Sequence, residues 1–134
     1  MSAWKLSAAS VLVAASALAT VSAQVQSQPY SGASDYQVYC SSCHGPQARG
    51  DGVIAKSLKT QPSDLTQLTK LNNGVFPEEK VAKTVVGRQG TAHRDSEMPA
   101  WAEVFAKSSD SAGAEQAAVR IGVLVKYLET LQVK

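Results

Sequence analysis

At 134 residues, with 13 Lys and Arg against 11 Asp and Glu, the chain has neither the length for two sizeable cores nor the basic excess that attracts nucleic acid or anionic lipid. Nucleic-acid binding is therefore not expected. Only two cysteines are present, Cys40 and Cys43, and their neighbours must decide what they do.

Residues 1–23 read as an export signal. Lys5 supplies the positive start, Leu6 to Ala19 is apolar and small, and Val21-Ser22-Ala23 is a small-residue cleavage site. The mature chain is expected to begin at Gln24 and to be near neutral in charge. The apolar run is about 14 residues, short of the roughly 20 that a spanning helix needs. No stable membrane insertion is expected after cleavage; an uncleaved N-terminal anchor is the alternative. Segment 24–30 is polar and expected to be flexible, and one domain is expected over 31–134.

Tyr36, Tyr39, Cys40 and Cys43 fall at helical spacing, so a first helix should carry both cysteines near its C-terminal end. A Gly- and Pro-rich loop follows through Gly50-Asp51-Gly52 to Pro62, with room for one helical turn between Val53 and Leu58. Asp64 is placed to cap a short helix over Leu65, Leu68 and Leu71, which the turn signal Asn72-Asn73-Gly74 stops. The next helix should begin with Pro77, keep Glu78 and Glu79 in its first turn, and end at Gly87. Gly90 to Met98 reads as polar loop, Pro99 as the start of a short helix with Trp101 and Phe105, and a Ser-rich link leads on. From about Ala114, Ala117, Ile121, Leu124, Leu128 and Leu131 mark one face of a long final helix. No alternating run of β-branched residues appears. The prediction is an all-α fold of four or five mostly short helices.

Cys40-Ser41-Ser42-Cys43-His44 is a C-x-x-C-H sequence, the attachment signature of c-type haem. Two thiols one helical turn apart can each add to a haem vinyl group, while the adjacent imidazole reaches the iron. The competing uses of these residues are a thioredoxin-like thiol pair, which wants a preceding strand, and a structural zinc held by Cys40, Cys43, His44 and His93. Met98 is the one methionine of the expected mature chain and sits in polar surroundings unusual for a core filler. It is the candidate sixth iron ligand, with His93 as its competitor.

The motif Cys40-Ser41-Ser42-Cys43-His44-Gly45, with Gly50-Asp51-Gly52, Pro62-Ser63-Asp64-Leu65-Thr66 and Met98-Pro99-Ala100-Trp101, resembles the small class I cytochromes c of the bacterial periplasm. Asn73-Gly74-Val75-Phe76-Pro77 and Val86-Gly87-Arg88 resemble a recurrent pattern within that group. The resemblance implies one covalent haem c inside an N-terminal helix crossing a C-terminal helix, here Gly32 and Tyr36 against Leu124, Tyr127 and Leu128. It also implies a proline carbonyl accepting a hydrogen bond from the ligand His, for which Pro62 is the candidate and Pro46 the weaker one. It places Trp101 against the haem or in the plain core, and Arg88 either on a propionate or in solvent.

Ligation by His44 and Met98 leaves no open position on the iron, which points to electron transfer rather than to an enzyme. The expectation is a soluble periplasmic one-electron carrier between redox proteins, such as dehydrogenases and terminal-oxidase-type complexes. The alternatives are a subunit permanently docked to a periplasmic dehydrogenase and a haem-based ligand sensor with a labile sixth ligand. Lysines 56, 59, 70, 80 and 83 could form a steering patch, although the near-zero net charge argues against strong steering over the whole surface.

Overall fold

The computed structural model describes residues 30–87, 97–107 and 113–133. Among them every regular element is helical and none is a strand, in agreement with the all-α prediction. The expected signal, the loop around His93, Arg88 and the Ser-rich link lie outside the described residues.

The first helix is built in three parts: α1 (Gly32–Asp35), a π-helical turn (Tyr36–Cys40) and α2 (Ser41–His44). Ser31 caps its start by accepting from the Ser34 N–H. The π turn inserts one extra residue into the helical count, a device common at functional sites. Asp35 and Tyr36 on its N-terminal side are buried, whereas Cys40, Cys43 and His44 are half-buried. A 3₁₀ turn follows at Ala55–Ser57, inside the span where a helical turn was expected. Asp64 caps the next turn through the Thr66 N–H, and a 3₁₀ stretch (Leu65–Gln67) runs into α3 (Leu68–Leu71). Helix α4 spans Glu78–Val86, with Pro77 as its cap rather than its first residue. Helix α5 (Trp101–Lys107) starts two residues later than Pro99, and α6 (Gly113–Thr130) is the long final helix. With α1, the π turn and α2 read as one, five helices are described, within the range expected.

Helix α6 is the spine: α1, α4 and α5 all pack on it. Its buried side chains Ala117, Ile121, Leu124, Val125 and Leu128 follow helical spacing, and Val81 and Val85 of α4 sit one turn apart facing the same core. Tyr36, Phe105, Leu124 and Val125 are the largest fully buried residues. The crossing of α1 on α6 is closest at Gly32. A Cβ there would run into the Val123 carbonyl oxygen and stand 2.7 Å from Tyr127 Cβ, so only glycine lets the backbones meet. Beside it Tyr36 packs on Tyr127, ring centroids 5.7 Å apart, as the expected crossing required.

The C-terminal end of α6 is tied to the α3 region. Gln132 Nε2 donates to the Leu65 carbonyl (2.7 Å), its Oε1 accepts from the Thr69 N–H (2.9 Å), and the Val133 N–H donates to the Thr66 carbonyl (3.0 Å). No described helix is long and apolar enough to cross a membrane.

Candidate functional site

The last turn of α2 leaves carbonyls without helical partners, and the Gly-rich loop after it takes them up. Ile54, Gly52 and Gly50 donate their N–H groups to the carbonyls of Ser42, Cys43 and His44, at 3.1, 3.1 and 2.8 Å. The loop lies so close that a Cβ on Gly52 would strike the Ser42 and Cys43 carbonyls. That contact explains why Gly50-Asp51-Gly52 follows the motif: the backbone of Cys43 and His44 is clamped from behind. Tyr36 completes the clamp, its hydroxyl donating to the Gly45 carbonyl at 2.6 Å in a buried site.

Two hollows open on the other side of these residues. One, of about 240 Å³, lies among Cys43, Pro62, Pro99, Trp101 and Tyr39. The second, of about 290 Å³, has apolar walls from Leu65, Leu68, Val81, Val85, Leu124 and Leu128. Cys40, His44, Ser63 and Met98 line both, so the hollows are the two halves of one cleft. Separately each falls below the usual range for a small-molecule site, roughly 300–1,000 Å³; joined, they lie within it.

His44 Nδ1 stands 3.0 Å from the Ser63 carbonyl. A carbonyl can only accept, so Nδ1 carries the proton and Nε2 keeps its lone pair. Burial pulls the His44 pKa below its ordinary value, and the Ser63 bond opposes this only in part. Burial thus favours the neutral ring, the form that ligates metals. The acceptor is Ser63 and not Pro62 as expected. The Pro62 carbonyl instead faces Gly50, where a Cβ would strike it, so the chain direction at this turn presents the following carbonyl to the imidazole. Pro62 itself remains on the cleft wall beside Cys43.

Cys40 and Cys43 are both half-buried free thiols on the cleft. Burial, then the neighbouring Asp35 and Cys43, push the Cys40 thiol up to about 12. A thiol held protonated does not suit the nucleophile of a thiol–disulfide enzyme, whose pKa is lowered. Among the described residues no three His, Cys, Asp or Glu side chains converge to hold a metal ion.

Met98 is half-buried and packs against the core. Its segment is tied down by Glu97, whose carboxylate accepts from the Lys59 N–H at 2.6 Å. Trp101 stands on the same wall in a trio of rings: Tyr39 to Trp101 5.6 Å, Tyr39 to Phe105 5.2 Å, Trp101 to Phe105 5.9 Å. The structure thus brings Cys40, Cys43, His44, Met98, Pro62 and Trp101 to one cleft, while Arg88 and His93 fall outside the described residues. Sequence reasoning missed Tyr39, Ser63 and the apolar lining of the second hollow. The lining was nonetheless visible as the inward stripe of α4 and α6, since Val81, Val85, Leu124 and Leu128 serve as core and cleft wall at once.

In chemical terms the cleft brings together an imidazole, a thioether and two thiols between largely apolar walls. No family model matches the chain, and no curated protein or solved structure does either, so the reading of this cleft rests on its residues.

Proposed function

We propose that this chain is an exported one-electron carrier of the class I cytochrome c type, holding one haem c through Cys40 and Cys43 with His44 and Met98 as axial ligands. The observation that carries this reading is the junction of the two hollows. Imidazole, thioether and the first thiol of the C-x-x-C-H motif line the same gap between apolar walls. The close crossing of α1 on α6 at Gly32 supports the class I arrangement. When bound, the haem supplies a one-electron ferric–ferrous couple, whose potential thioether ligation and apolar burial raise.

The rest is the work of the chain. Ser63 fixes the tautomer and ring orientation of His44, and acceptance by a carbonyl raises the ligand's basicity. The loop 45–54 holds the backbone of the motif rigid. Leu65, Leu68, Val81 and Val85 exclude water from one side of the cleft. With His44 and Met98 both given to the haem iron, no position would be left for a substrate, so the reading is electron exchange with redox proteins and not catalysis. The export signal makes the periplasm the compartment.

The test is a reduced-minus-oxidised visible spectrum of the exported protein after acid–acetone extraction, with its intact mass. A retained c-type α-band with one haem added to a chain beginning at Gln24 is the expected result. A haem-free mass with a disulfide or a bound metal would overturn the proposal.

A further inference from the structure

One charged cluster takes no part in the cleft as described. Asp35 at the end of α1 and Arg120 on α6 form a two-pronged ion pair, Nε to Oδ2 at 3.1 Å and Nη2 to Oδ1 at 2.7 Å. Their side chains are only 10% and 8% exposed, a setting in which a planar guanidinium fork is the suited cation. The guanidinium also lies over three rings: Phe105 at 4.1 Å, Tyr30 at 5.0 Å and Tyr39 at 5.2 Å. Two of these rings stack on Trp101, which shares the cleft wall with Met98 three positions before it. Ring contacts therefore run from the helix crossing to Trp101, which the chain joins to Met98 through Pro99 and Ala100.

We propose that Arg120 is a positioning residue for the Met98 side of the cleft: locked by Asp35, it clamps Tyr39 and Phe105, and these hold Trp101 and the segment before it in place. A buried ion pair is weak evidence for stability alone, because desolvation offsets most of its attraction. What the pair supplies here is one fixed arrangement of rings. A desolvated cation over an aromatic face adds to its rigidity. The proposal rests on the reading of Met98 as an iron ligand, and it predicts that the ease with which Met98 leaves is set some distance away, at position 120.

The experiment measures imidazole binding to the ferric protein, which requires Met98 to leave, together with the thioether-to-iron charge-transfer band. The variants are R120M, R120K, D35N and the double variant D35N/R120M, with M98A as the fully open reference and V125A as a control that loosens the α6 core at a residue that lines neither hollow. R120M and D35N should bind imidazole about tenfold faster than the wild type, the scale expected when a desolvated contact of this kind no longer opposes local opening. R120K, which keeps the charge but not the fork, should fall between. The double variant should be no worse than the poorer single, as for two residues acting as one unit.

Unchanged imidazole binding in R120M and D35N, whatever their melting temperatures, would overturn the inference. So would a V125A protein that opens as readily as R120M at the same loss of stability, since the effect would then be general loosening. A wild-type protein that binds imidazole as fast as M98A would instead remove Met98 as ligand, and with it the reading beneath the inference.

Discussion

The two halves of the first helix face opposite tasks. From Gly32 to Tyr36 it lies against α6 with no room for a β-carbon, its tyrosine fully buried and its carboxylate paired. From Tyr39 to His44 every side chain of interest is half-buried and stands over an open cleft. The π-helical turn joins them. A regular α-helix would keep one buried stripe along its length; after the π turn full burial gives way to partial exposure over the cleft. The difference teaches that packing in this protein is complete where it holds the fold and left incomplete where it offers thiols, imidazole and thioether.

The strongest way to break the open half is to remove both sulfurs of the motif. In C40S/C43S all haem should leave on acid–acetone extraction, because nothing else in the proposed site makes a covalent bond. Haem retained by the extracted chain would mean that some other residue carries it. The closed half has an equally direct test. Gly32→Val sets a branched side chain against the Val123 carbonyl and Tyr127, and backbone cannot yield as a flexible side chain does. A loss of about 3 kcal/mol is expected in urea unfolding, at the upper end of ordinary overpacking. A loss below about 1 kcal/mol would show that the crossing is looser than its geometry.

The closed half was legible in the sequence only in outline, and the open half nearly in full. Cys40, Cys43 and His44 announce themselves by spacing, and Asp64, Pro77 and Gly87 mark helix ends by chemistry that acts within a few residues. Three features were hidden for physical reasons. The π turn changes which backbone groups pair without requiring a particular residue. The choice of Ser63 over Pro62 depends on the direction of one carbonyl. The Asp35–Arg120 pair joins residues 85 positions apart, and a lone charge normally implies solvent. Arg120 did carry a signal, since it falls on the same α6 stripe as Ala117, Ile121 and Leu124.

A smaller effect sharpens the contrast at the cleft wall. Asp64 accepts from the Thr66 N–H at 2.9 Å and from its hydroxyl at 2.6 Å, which holds the turn that carries Leu65 and Leu68 into the second hollow. Asp64→Ala should lower stability by about 1 kcal/mol, the usual effect of losing a helix cap, and Asp64→Asn should recover most of it. If the alanine variant unfolds at the same urea concentration as the wild type, the bonds from Gln132 and Val133 hold that wall without the cap.

The smallest effect expected comes from a second ion pair between helices, and it tests whether burial, not charge, is what matters at the crossing. Lys126 on α6 reaches Glu78 on α4 at 2.9 Å and Glu129 at 3.3 Å, with side chains 60%, 54% and 45% exposed. Both carboxylates, Glu78 foremost, raise the Lys126 pKa above its ordinary value. Any stability that the raised pKa implies is fully present below the ordinary lysine pKa and disappears as pH climbs through the raised one. At pH 7 the pair is thus at full strength, and Lys126→Ala removes all of it. Even so, water and salt screen such a pair on the surface, and the melting temperature should not move measurably, in low or high salt. The same measurement on R120M should show a clear drop, because the Asp35 carboxylate would be left buried without its partner. Equal shifts in the two variants would mean that the helices are held by charge wherever it lies, and the distinction between the closed crossing and the rest of the surface would fail.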